Sequence, residues 1–235
     1  MLQRIQQLDL WLLHAINSFA GNWVIDSAIR FVSSFILIKG TFFLTFYWFY
    51  WFRDELPATN KSRVILVKGI LSSLVAIVFA RILANFFPFR LRPFADPTAG
   101  FSITVRQITP DFESWSAFPS DHAAVVFALS FALFRISRGV SIFLLAYSAI
   151  VVCFPRVYIG LHYPSDVIAG ALIGVLAAWI VQKINGARPI ERVTSFAERN
   201  RPLFYATSFV VTSELSQMFG NIRAAGRAVI KLLGN

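Results

Sequence analysis

The chain of 235 residues is 57% hydrophobic and only 14% charged, with 25 phenylalanines and a mean hydropathy of +0.63. A soluble domain keeps about 25% charged residues on its wetted surface, so a soluble globule and a disordered polyelectrolyte are excluded, and the single cysteine, Cys153, excludes a disulfide scaffold. The net charge of +10 then belongs to the loops and headgroup contacts of a polytopic membrane protein, and no nucleic-acid partner is expected.

Along the chain, Ile5, Leu8, Leu12 and Ile16 recur at intervals of three or four. That spacing predicts a helix over 5–20, either interfacial or extending into a further span. A span needs about 20 mostly apolar residues. Segments 28–52, 64–87, 118–134, 139–155 and 166–183 meet or approach that length, so the expected fold is an all-α membrane bundle of five or six transmembrane helices. The expected organisation is an N-terminal interfacial segment (1–27), a membrane domain (28–185) and a basic amphipathic tail (186–235).

Lys and Arg fall in alternate connections: Arg53, Lys61 and Arg63; then Arg135 and Arg138; then Lys183, Arg188, Arg192, Arg199 and Arg201. The positive-inside rule makes that face cytoplasmic and puts loops 88–117 and 156–165 together on the outer face. In the tail, Leu215, Met218, Phe219, Ile222 and Val229 form one helical stripe, while Arg223, Arg227 and Lys231 form another. Such a helix lies on a membrane surface or packs against a partner. A span over 202–219 would have to bury Glu214, at a cost. No pattern in the chain indicates an oligomeric state.

The two outer loops hold three polar clusters: Arg90-Leu91-Arg92-Pro93, Phe118-Pro119-Ser120-Asp121-His122, and Arg156 with His162 and Asp166. Each alone has an ordinary explanation. Arginines snorkel at span ends, Pro-Ser-Asp opens a helix, and Asp166 complements a helix dipole. Two of the chain's three histidines lie in these clusters, however, and all three clusters sit at span ends on one face.

Together they predict a phosphate site. Arginines bind phosphate oxygens bidentately and keep their charge, and a helix opening near Ser120 offers free N–H groups to an anion. A carboxylate four residues after His162 can hold one imidazole nitrogen while the other attacks phosphorus. His122, on a different helix, can protonate the leaving group.

These motifs resemble the type 2 phosphatidic acid phosphatase superfamily, whose signature is Lys-x6-Arg-Pro, Pro-Ser-Gly-His and Ser-Arg-x5-His-x3-Asp. Arg92-Pro93, Pro119-Ser120-x-His122 and Arg156-x5-His162-x3-Asp166 carry the likeness over about residues 64–183. The resemblance implies His162 as the nucleophile of a phosphohistidine, Asp166 as its orienting group and His122 as general acid. It also implies that Arg92, Arg156 and Ser120 bind the phosphoryl group, with no cofactor and no metal.

Three positions depart from the signature. Asn85 stands where the motif has lysine, so Arg81 or Arg90 is expected to supply the charge. Pro155 replaces the serine before Arg156. Asp121 replaces the glycine, as in the similar undecaprenyl-diphosphatase branch.

That likeness and the arginines Arg90, Arg92, Arg156 and Arg106 favour a lipid diphosphate. The expected protein is therefore a bacterial inner-membrane lipid phosphatase with its site on the outer or periplasmic side, probing membrane lipids for undecaprenyl diphosphate. Phosphatidate, phosphatidylglycerol phosphate and lipid A phosphates are alternative substrates. A metal-dependent hydrolase using Asp96, Asp111 and Glu113, or a non-catalytic lipid transporter, would be a different class of protein.

Overall fold

The computed structural model describes residues 2–53, 59–101, 115–184 and 188–233, and within them all regular structure is helical. Arg106, Asp111 and Glu113 lie outside the described residues. In chain order the helices are α1 (Leu2–Asn17), α2 (Trp23–Ser34), α3 (Phe42–Arg53), α4 (Thr59–Phe86), α5 (Asp121–Ala132), α6 (Arg138–Tyr147), α7 (Phe154–Tyr158), α8 (Pro164–Lys183), α9 (Arg188–Arg199), α10 (Arg201–Ser216) and α11 (Gly220–Leu233).

Their ends follow from local chemistry. Asn22 caps α2 by accepting from the N–H groups of Val24 and Ile25. The 28-residue α4 stops just ahead of Pro88, whose ring disfavours a helical residue before it. Pro164 opens α8 at a position where no N–H is needed.

Wide π-helical turns interrupt the helices at Leu37–Thr41, between α2 and α3, and at Ser148–Cys153, between α6 and α7. The second precedes Pro155, which has no N–H to return to the preceding turn.

The expected all-α membrane bundle is what the helices form. Arg138–Tyr158, Pro164–Lys183 and most of α4 are long and apolar enough to cross a bilayer. The segment expected at 28–52 is a bent pair with an angle of 74° at its break, making a fourth candidate. The segment expected at 118–134 begins with a bend at Phe118 and Pro119, and α5 has only 12 residues before a 3-10 turn at Leu133–Arg135. By length and composition, three helices among the described residues can cross a bilayer, or four if the bent pair is one span.

Small residues let α4, α5 and α8 pack closely: Ala76 and Ala80 on α4, Ala124, Ala128 and Ala132 on α5, and Ala177 and Ala178 on α8. On α8, Gly170 and Gly174 lie one turn apart. A Cβ at Gly170 would collide with the Ser120 carbonyl, and one at Gly174 with the Ala124 carbonyl and the Ala128 N–H. Backbones in direct contact are the membrane-helix mode of close packing. Here that contact brings the start of α5 against the start of α8, where the Ser120 N–H donates to the Asp166 carbonyl at 3.0 Å.

Segment 202–219 packs as α10 along α3. Near its start, Trp51 Nε1 donates to Tyr205 Oη at 3.3 Å. Its last turn brings the Ser216 backbone against Gly40, where no Cβ would fit. Glu214, only partly buried, caps α11, accepting from Asn221 Nδ2 at 2.7 Å and the Ile222 N–H at 3.3 Å.

The far end of the bundle carries the cationic connections. There Arg135 donates to the Gln182 carbonyl, Lys68 to the Ile184 carbonyl, and Arg63 lies 3.7 Å from Glu198.

Candidate active site

The three polar clusters converge because backbone hydrogen bonds tie their loops together. The Phe94 N–H donates to the Gly160 carbonyl at 3.1 Å, and the Ala117 N–H donates to the Arg90 carbonyl at 2.9 Å. Arg92 Nη1 donates to the Leu161 carbonyl at 2.9 Å. Gly160, at φ +73°, is a position only glycine fills without strain, since a Cβ there would strike the Phe101 ring.

His162 is 3% exposed. Its Nδ1 lies 2.8 Å from the Ala117 carbonyl. A carbonyl can only accept, so Nδ1 carries the proton and Nε2 keeps its lone pair. Burial, reinforced by the charges of Arg156 and Arg92, holds the imidazole well below its usual pKa of 6.5. His162 is therefore neutral at physiological pH, with one nitrogen free to act as a base or nucleophile.

Asp166 was expected to orient this histidine, but its nearer partners are others. Oδ2 accepts from the Tyr163 N–H at 2.8 Å and caps α8, while Oδ1 pairs with Arg90 Nη1 at 2.5 Å. Oδ2 stands 3.9 Å from His162 Nδ1, close enough to act electrostatically but too far for a hydrogen bond. The Ala117 carbonyl supplies the direct restraint, and no residue pattern announces a carbonyl partner.

Arg92 and Arg156 are both buried and Ser120 is inaccessible to solvent. Burial pushes Arg92 down to about 10, so it still carries its charge at neutral pH. Ser120 precedes α5 without capping it. Ser120 Oγ and Arg156 Nε have no hydrogen-bond partner among the described residues. A buried unsatisfied polar group costs about 1–3 kcal/mol, and a buried charged one is still less tolerable. Two such groups at one site fit an anion able to accept from both. A cavity of about 240 Å³ reaches Arg156 and is also lined by His122, Lys39, Ser33 and Leu161.

The remaining expected residues lie at the margins. Arg81 Nη2 is 2.5 Å from Asp121 Oδ1, and its guanidinium lies 5.2 Å from the centre of the Trp115 ring. Asp121 therefore holds Arg81, one turn before the exposed Asn85 on the same helix. Arg90 stacks 4.0 Å from the Tyr163 ring centre and spans Asp166 and Asp9. Asp96 accepts from Thr98 and from Tyr163 Oη.

Asp9, on α1, is a site neighbour that the sequence did not announce. It is 3% exposed, and its carboxylate accepts from Ser165 N–H at 2.8 Å, Ser165 Oγ at 2.5 Å and Arg90 Nη2 at 2.7 Å. The helix expected to be merely interfacial thus clamps the start of α8. Breaking a buried ion pair from one side costs about 3–5 kcal/mol. Asp9→Ala is therefore expected to lower the unfolding temperature in detergent by several degrees and phosphatase activity by about tenfold. Asp9→Asn, which still accepts from Ser165, should lose less of both. A melting temperature unchanged in Asp9→Ala would contradict the clamp.

Fold and site together define a polytopic helical membrane protein with its reactive polar groups gathered at one end of the bundle. The chain belongs to the PAP2 superfamily, whose family model matches residues 65–189, and it is a membrane lipid phosphatase.

Among similar proteins, a putative undecaprenyl-diphosphatase, YbjG, of Escherichia coli K12 is 26% identical over 197 residues, covering 82% of this chain and 91% of the relative. The bacitracin transport permease protein BcrC of Bacillus licheniformis is 26% identical over 180 residues, 74% of this chain and 79% of the relative. A lipid A 4'-phosphatase of Bacteroides thetaiotaomicron is 46% identical over 66 residues, 27% of this chain and 28% of the relative. No solved structure matches the chain significantly.

Proposed function

We propose that the protein hydrolyses undecaprenyl diphosphate to the monophosphate through a phosphohistidine, at the outer face of a bacterial inner membrane. The observation that carries this reading is the pair of partnerless buried donors, Ser120 Oγ and Arg156 Nε, beside a neutral histidine. They suit the non-bridging oxygens of a phosphoryl group. Arg92, fixed to the Leu161 carbonyl, adds a charge that needs no metal to accompany it. The 1–27, 28–185 and 186–235 division goes with this reading, the middle part carrying the catalytic groups and α1 closing over them.

In the first step His162 Nε2 attacks the terminal phosphorus. The bond from phosphorus to the bridging oxygen breaks, and its electron pair stays on that oxygen, which takes the proton of His122. Lipid monophosphate departs. Water then attacks the phosphohistidine and gives a proton to His122, and the P–N bond breaks. Inorganic phosphate leaves, and both histidines return to their starting states. Arginine and serine donors held in place before reaction stabilise the charge gathering on the transferring phosphoryl oxygens.

The likeness to YbjG, named a putative undecaprenyl-diphosphatase, favours a lipid diphosphate over a simple ester. A second reading rests on the local 46% identity with the lipid A 4'-phosphatase. The basic connections at the end of the bundle opposite the site support the outward orientation by the positive-inside rule.

The deciding experiment measures phosphate release by the detergent-purified chain, with excess chelator, from undecaprenyl diphosphate, phosphatidate and lipid A in parallel. Undecaprenyl diphosphate should be preferred by at least about tenfold in kcat/KM, equivalent to about 1.4 kcal/mol of transition-state discrimination. A preference for lipid A would select the second reading, and activity abolished by chelator would remove the metal-free mechanism.

A further inference from the structure

Asn85 carries no charge, and the neighbouring arginines expected in its place have carboxylate partners. Arg81 is held by Asp121, and Arg90 by Asp9 and Asp166. Lys39 lies in the π-helical turn before α3, partly buried and close enough to Arg156 for their charges to interact. Its ammonium donates to the Ser33 carbonyl, which uses one of three protons. No carboxylate among the described residues forms an ion pair with it.

Lys39 and His122 share two cavities. One, of about 240 Å³, is also lined by Arg156. The other, of about 180 Å³, runs behind His122 between α3, α5 and the turn joining α10 to α11, with Leu44, Val126, Leu129, Leu215 and Met218 among its walls. The first is polar at its Arg156 end and the second is largely aliphatic. Lys39, His122 and Val152 line both, so an ammonium and an imidazole stand at the place where an anionic head would give way to an apolar tail.

We propose that Lys39 binds the proximal phosphate of a lipid diphosphate and so selects diphosphates over monophosphates. This rests on the phosphatase reading above. If His122 protonates the bridging oxygen, the next atom on the leaving side is the proximal phosphorus, with its non-bridging oxygens within reach of Lys39. In a lipid monophosphate that atom is an uncharged carbon, for which an ammonium offers nothing. When the bridging bond breaks, its electron pair remains on the leaving group, and Lys39 stabilises the charge that the proximal phosphate gains. The tail's first units then occupy the aliphatic cavity.

The test uses the full-length purified chain with farnesyl diphosphate and farnesyl monophosphate as probes. A charge-assisted hydrogen bond gives about a 10- to 100-fold effect. Lys39→Met should therefore lower kcat/KM for the diphosphate by about that factor and change the monophosphate by less than about threefold, while Lys39→Arg restores most of the loss. Where monophosphate turnover is too slow to follow, its inhibition constant as a competitor supplies the same comparison, and either value reports that the variant's site is folded. Equal losses on both probes, or an unchanged diphosphate rate, would overturn the role of Lys39 and leave the phosphatase standing. A wild-type chain that releases phosphate from neither probe and binds neither would overturn the phosphatase reading and Lys39's part in it.

Discussion

His162→Ala is expected to lose at least about 10⁴-fold in kcat, the scale seen when a covalent nucleophile is removed. The protein should stay folded, because the change deletes one neutral hydrogen bond to the Ala117 carbonyl, worth about 0.5–1.5 kcal/mol, and leaves the Arg90 network untouched. The buried neutral imidazole has its proton on Nδ1 and no other strong base beside it, since Asp166 is engaged by Tyr163 and Arg90. No neighbour can take over as nucleophile. The measurement is phosphate release beside a detergent melting curve, with acid-labile, base-stable labelling of the wild type by a phosphate-labelled substrate. Activity within about tenfold of wild type in His162→Ala would end the covalent mechanism.

The second large effect depends on the leaving group. His122→Asn should lower kcat/KM for a lipid phosphomonoester by about 10³-fold, within the usual range for general acid catalysis. For a lipid diphosphate the loss should be nearer tenfold. An alkoxide is about as basic as hydroxide and so a far poorer leaving group than a phosphate. A phosphate leaving group has a pKa of about 6 and departs with little help. His122 lines both cavities beside Lys39, so the charge on a departing phosphate is met by the ammonium as well. Steady-state rates for the two substrate types with one variant decide this. Equal losses on both would mean that His122 does not protonate the leaving oxygen.

The site was legible where its chemistry is written in short spacings. Arg156, His162 and Asp166 fall within one turn and one helix start, and Ser120 and His122 within one N-terminus, so their grouping needs only local geometry. Arg92 follows the same logic in the loop after α4. Roles that depend on what lies across the bundle were not legible. Arg90 was expected on phosphate, yet Asp9, 81 residues away along the chain, draws it into an ion pair. Asp166 was expected on His162, yet the same carboxylate is the cap that α8 needs.

Composition and periodicity were enough to decide a helical membrane protein, because burying a backbone in lipid leaves few alternatives to a helix. The order of charged residues along the chain was likewise enough to separate a basic end from a reactive one. Which side chains meet is a different quantity. It depends on how closely two helices approach, and Gly170 and Gly174 allow a contact between α5 and α8 that hydrophobic pattern does not encode. The tertiary structure alone therefore decided that α1 is tied to the start of α8 through Asp9, that a carbonyl fixes the tautomer of His162, and that Lys39 and His122 line the same cavities. Each relates residues distant in sequence, and exists only once close packing has set the distances between helices.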